Sequence, residues 1–90
     1  MPYITPPQRQ KLDKDPRPTD PGELNYLLTR HLLSYLEDKG LKYSTLNEIM
    51  GVLNCVTQEF YRRWAAPYED LKIRENGDVG PFPSEKTPPK

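Results

Sequence analysis

Arg62 and Arg63, flanked by Tyr61 and Trp64 and followed by Tyr68, form the one cluster that mixes guanidinium forks with aromatic planes. Such a fork can hold a phosphate or carboxylate through two parallel hydrogen bonds. A tyrosine beside it can stack on a base. Tyr26 and Arg30, four residues apart, repeat the pairing on one helical face, with Leu33 next along it. Ligand binding is therefore expected at Arg62, Arg63, Tyr68, Tyr26 and Arg30. A structural reading stands beside this one: cations near a helix C-terminus match its dipole, and Trp64 belongs to a core.

The remaining reactive groups do not assemble into a catalyst. His31 is the only histidine, and its place on an inner helix face fits a packed or half-buried structural role. Cys55 has no histidine or acid in a triad-like pattern. Glu69 and Asp70 would point about 100° apart on a helix, which makes a poor carboxylate pair. No spacing rule supports a metal at Glu69, Asp70 and Asp78, and no glycine-rich phosphate loop exists. The expectation is a protein that is not an enzyme, with no catalytic residues, no metal and no cofactor. Were there catalysis, His31 near Arg63 would be the only evident general base.

Composition narrows the partners. Ninety residues allow one small domain. Thirteen basic residues balance thirteen acidic ones, so no global field draws the chain to nucleic acid or to a membrane surface. Eleven prolines fall almost wholly outside the central third, and the single cysteine excludes an intramolecular disulfide. No apolar run approaches the roughly 20 residues of a membrane helix, and Met1-Pro2-Tyr3 begins no signal peptide. These features suit a soluble cytoplasmic protein.

Helices must position the cluster. Leu46, Ile49, Leu53, Val56, Phe60 and Trp64 recur at three- and four-residue steps, so the spacing predicts one long amphipathic helix. Ser44 or Thr45 would cap it, with Thr45 and Glu48 at capping-box spacing and Tyr43 as a staple. Its apolar arc covers about half the circumference, which is wide for one partner. Asp20-Pro21-Gly22-Glu23 predicts an earlier helix start, and Gly40 a left-handed stop. Between them Leu24, Leu28, His31, Leu32 and Tyr35 share the inner face. Tyr26, Arg30 and Leu33 lie opposite, as ordinary exposed residues or as a subunit or ligand surface.

Lys42 to Ser44 leaves room only for a tight connection, so the fold expected is all-α, an antiparallel helical hairpin. Thr5-Pro6-Pro7 would open a short helical turn through Leu12. Pro67 would break or kink the long helix, and a last short helix would run from Tyr68 to Glu75 before Asn76-Gly77. Three regions follow: residues 1–20 as a Pro-rich arm that packs on a neighbour or on nothing, 21–79 as the hairpin with its helical coda, and 80–90 as a disordered tail. Two helices bury too little to stand alone in water, which argues for a homo-oligomer, a dimer or higher.

Several motifs are also familiar. Met1-Pro2-Tyr3-Ile4, Arg9 with Leu12-Asp13, and Pro21 to Tyr26 (PGELNY) resemble a widespread family of small uncharacterised proteins from tailed-phage and prophage genomes. Glu59 to Arg63 (EFYRR), Ala66 to Asp70 (APYED) and Glu75 to Val79 (ENGDV) extend the resemblance, which covers roughly residues 1–79. Trp64 stands where the family pattern has an aliphatic residue, and the tail beyond Gly80 is an extension. The resemblance brings no activity with it, but it implies a phage gene expressed in a bacterial host cytoplasm. In that setting small oligomeric helical hairpins include sponges that sequester the cyclic nucleotide signals of anti-phage immunity. By this analogy of architecture and setting, the chain is expected to be a non-enzymatic anti-defence sponge for a cyclic di- or trinucleotide. The arginines would hold phosphate, with Tyr68 or Tyr26 on the base. The alternative is an oligomeric helical adaptor that binds a host or phage protein through its outer face and proline-rich tails.

Overall fold

The computed structural model describes residues 1–81, and all the regular structure among them is helical. Helix α1 is Pro6–Lys14, α2 is Pro21–Lys39, α3 is Tyr43–Phe60, a π-helical segment is Tyr61–Ala65 and α4 is Ala66–Asn76. No helix among the described residues is long and apolar enough to cross a membrane. The chain divides into two compact units, Met1–Gly51 and Val52–Lys90, with the boundary inside α3. From residue 82 onward, the expected disordered tail lies outside the described residues.

The N-terminal unit is built around one carboxylate and one leucine. Thr5 caps α1 through a capping box, its hydroxyl accepting from the Gln8 N–H while the Gln8 Oε1 accepts from the Thr5 N–H at 2.9 Å. This fixes Gln8 so that its Nε2 donates to Glu23 Oε2 at 3.2 Å. One turn on, Lys11 Nζ reaches both Glu23 oxygens, at 3.2 and 3.0 Å. Thr19 adds its backbone N–H and its hydroxyl, each 3.0 Å from Glu23 Oε1. Glu23 is 2% exposed, and Leu12, also 2%, is the one buried hydrophobic side chain among the described residues. Residues 1–20 thus pack on α2 of their own chain, which corrects the expectation of an arm seated on a neighbour or on nothing. No periodicity announces that packing, because it rests on one leucine and one ion-paired cluster.

Helix starts and stops follow the expected chemistry, with adjustments. Asp20 caps α2, accepting from the Glu23 N–H at 2.8 Å, with Pro21 in the first position. The Glu23 side chain does not return to Asp20, because Lys11 and Thr19 offer it a cation and two further donors. Gly40 ends α2 at φ 92°, ψ 154°; its φ is positive, as only glycine readily adopts, but its ψ is extended rather than left-handed helical. Helix α3 begins at Tyr43, one or two residues before its expected cap at Ser44 or Thr45. Leu46 N–H bonds the Lys42 carbonyl at 3.1 Å, so Thr45 lies inside the helix, 1% exposed, and Tyr43 stands in solvent rather than acting as a staple.

Pro67 neither breaks nor bends the backbone out of helical space. Phe60 and Ala66, on either side of the π segment, have φ/ψ of −66°/−41° and −64°/−48°. Proline cannot donate and its ring crowds the carbonyl four residues back. The chain takes one extra residue into the turn before it, and the Ala66 N–H bonds Tyr61 O, five residues away. Helix α4 therefore starts at Ala66, with Pro67 in its first turn, and ends at Gly77.

The apolar stripes stay largely open. Leu24 and Leu28 on α2, and Leu46, Met50, Val56 and Phe60 on α3, are exposed. Trp64 is 69% exposed and Phe60 64%, so Trp64 is not core within its own chain. His31 is exposed too, because the inner face on which it was expected is not closed over.

Candidate functional site

Two sets of arginines stand at different places in the chain. In the C-terminal unit, Arg62 and Arg63 follow by three and four residues, about one turn, the acceptor they share. Arg62 Nη2 lies 3.0 Å from Glu59 Oε1, and Arg63 Nη1 lies 3.6 Å from the same oxygen. Both guanidinium groups and Glu59 are well exposed. Exposed pairs of this kind are worth about 0–1 kcal/mol, so a better anion can displace Glu59. Arg63 borders a shallow concavity of about 390 Å³ with Val56, Glu59, Phe60 and Trp64. A cation, an aromatic plane and an apolar floor are adjacent there.

Tyr68 is not part of that concavity. It lines a second one, of about 680 Å³, with Glu69, Lys72, Ile73, Asp78 and Val79 among its neighbours. The Lys72 ammonium lies 5.5 Å from the Tyr68 ring centroid, within cation–π range, and its Nζ is 3.1 Å from Glu75 Oε2. The Glu69 carboxylate, as a hydrogen-bond acceptor foremost and then through its charge, raises the Tyr61 phenol above its ordinary pKa.

Tyr26 and Arg30 lie in the N-terminal unit. Tyr26 is half-buried and Arg30 exposed. They line a cleft of about 390 Å³ together with Pro2, Tyr3, Ile4, Arg9, Thr29 and Leu33. The α2 face read as an outer surface is therefore flanked by the chain's own first residues. The sequence reading missed Tyr3 and Arg9 in this cleft. The signal available was the repeat of a tyrosine and an arginine at both ends of the segment, but nothing in its spacing tied residues 3 and 9 to residues 26 and 30.

Glu23, a helix-start acid by its place in the sequence, is a buried structural group rather than a site residue. Its carboxyl is held down to about 2 by the Thr19 backbone N–H first and then by Lys11, against the opposing effect of burial. Tyr35 OH donates to Glu48 Oε1 at 3.1 Å, which ties α2 to the first turns of α3 and raises the Tyr35 phenol. Cys55 is an exposed free thiol.

The family model described as Domain of unknown function (DUF6899) matches residues 1–79. No curated protein and no solved structure matches the chain.

Proposed function

The chain belongs to the DUF6899 family, and we propose that it is a non-enzymatic homo-oligomer that binds and sequesters a phosphate-bearing cyclic nucleotide, a sponge for an anti-phage immune signal in a bacterial host cytoplasm. Subunits pack their α2–α3 hairpins against one another and close the core that each leaves open. The observation that carries the assembly is the exposure of Phe60 and Trp64 in a chain whose one buried hydrophobic residue among the described residues is Leu12. Apolar stripes this continuous are seldom left in water, and a second copy presents the same stripe. Ligand capture is supported by arginines set next to aromatic rings and opposed only by an exposed carboxylate.

A second reading, an oligomeric adaptor for another protein, is favoured by one observation. The largest of the concavities described above is lined by Tyr68, Ile73 and Val79, and apolar side chains there suit a peptide better than a phosphate. Light scattering coupled to a thermal-shift screen of cyclic di- and trinucleotides separates the two readings. The sponge predicts a defined oligomer whose melting temperature rises with one ligand, which is recovered intact after heating. Replacing the arginine that holds the phosphate with alanine should lower that rise and leave the oligomer whole. A defined oligomer with no shift transfers the case to the adaptor, a cleaved ligand makes the protein an enzyme, and a monomer overturns the assembly.

A further inference from the structure

The cleft of the N-terminal unit differs in charge from the Arg62–Arg63 end and from the surroundings of Arg17. Arg62 and Arg63 share Glu59, and Arg17 forks onto Asp15 at 3.0 and 3.1 Å. Among the described residues, Arg9 and Arg30 form no ion pair, and the cleft they line holds no carboxylate. Two cations in one small concavity repel each other, and an anion placed between them reverses the sign of that interaction. Arg9 Nη1 donates to the Ile4 carbonyl at 2.8 Å, which fixes the guanidinium and leaves its remaining N–H groups for another acceptor.

The wall that carries Tyr3 and Arg9 is also anchored. The start of α2 comes so close to it that a Cβ on Gly22 would lie 3.3 Å from Ile4 Cγ2 and 3.4 Å from the Met1 carbonyl. The cleft is thus formed before a ligand arrives, which lowers the ordering cost of binding. Its volume of about 390 Å³ falls at the lower end of the roughly 300–1,000 Å³ typical of small-molecule sites. One base with its sugar and phosphate suits that space.

We propose that this cleft, and not the Arg62–Arg63 end, is the nucleotide site, with one phosphate between Arg9 and Arg30 and the base against Tyr3 and Tyr26. The proposal rests on the nucleotide reading above and places its ligand. Stacking on tyrosine accounts for the base, and the two forks account for the phosphate.

Isothermal titration of the full chain with cyclic di-AMP, cyclic di-GMP and cyclic tri-AMP, with inorganic phosphate as the base-free control, tests it. Arg30 makes no side-chain hydrogen bond among the described residues, so Arg30→Ala should keep the wild-type melting temperature while weakening the best probe about tenfold or more, the worth of one charge-assisted pair. Tyr3→Ala should weaken the cyclic nucleotide and leave inorganic phosphate unchanged, and Arg63→Ala should bind as wild type. If Arg30→Ala binds normally and Arg63→Ala does not, the cleft is wrong and the nucleotide reading stands. If no probe binds the wild-type chain, that reading falls and the cleft proposal falls with it.

Discussion

Shortening Leu12 to alanine is the most direct probe of how this chain holds together. Leu12 is 2% exposed, so the substitution removes fully buried carbons and leaves a cavity that α1 and α2 cannot both collapse into. Substitutions of this kind cost about 2–5 kcal/mol, and about 3 kcal/mol is expected. A chain of this length has roughly 5–13 kcal/mol in total at ~0.05–0.15 kcal/mol per residue. The loss is therefore a quarter of the stability or more, or a drop in Tm of about 12–24 °C at ~4–8 °C per kcal/mol. Leu28, exposed at 53%, is the control: its truncation should cost about 1 kcal/mol in the isolated chain. Urea unfolding followed by circular dichroism at low protein concentration compares the two. A Leu12→Ala variant within about 0.5 kcal/mol of wild type would refute the assignment of the interior to Leu12. So would a Leu28→Ala loss equal to that of Leu12→Ala under those conditions.

Two further outcomes follow from the titrating groups. The Glu23 carboxyl is lowered from 4.5 to about 2, so its stabilising contribution is complete above pH 4.5 and is lost as the pH falls toward 2. Glu23→Gln should flatten that acid limb of the stability curve while lowering stability at neutral pH. The Tyr61 phenol is raised by the Glu69 carboxylate, so its contribution is present below the ordinary tyrosine range and lost as the pH rises through the shifted value. Glu69→Gln should bring one tyrosine back toward the ordinary range in a spectrophotometric titration, and an unchanged curve would remove Glu69 as the cause.

Helices were legible because their signals are local. The Thr5 and Asp20 caps, the glycine stops at Gly40 and Gly77 and the proline in the first turn of α4 each act within four residues. The interior was not legible. A heptad-like run from Leu46 to Trp64 reads as core whether its partner is its own chain or another, so period alone could not reveal that Phe60 and Trp64 stay open. The buried residues Leu12, Glu23 and Thr45 come from three different helices, and the meeting of Lys11 with Glu23 depends on the path of residues 15–19. The candidate sites divide in the same way. Arg62 and Arg63 were visible as neighbours in sequence, whereas Arg9 and Tyr3 join Tyr26 and Arg30 only through folding. The π turn had a visible cause in Pro67, but proline equally permits a break, and the choice rests on one additional residue being absorbed.

That absorbed residue has a geometric consequence for any seam formed along α3. In an uninterrupted α-helix, Phe60 and Leu71 would face the same way, since eleven residues make about three turns. The wide turn at Tyr61–Ala65 delays the rotation by one residue, or about 100°, so α4 carries Leu71 and Ile73 off the line that Val56 and Phe60 define. A neighbour zipped along that line runs out of matching surface at Trp64. Under the proposed assembly the slip in phase is an end-stop: a seam along α3 ends there and does not propagate along the charged coda.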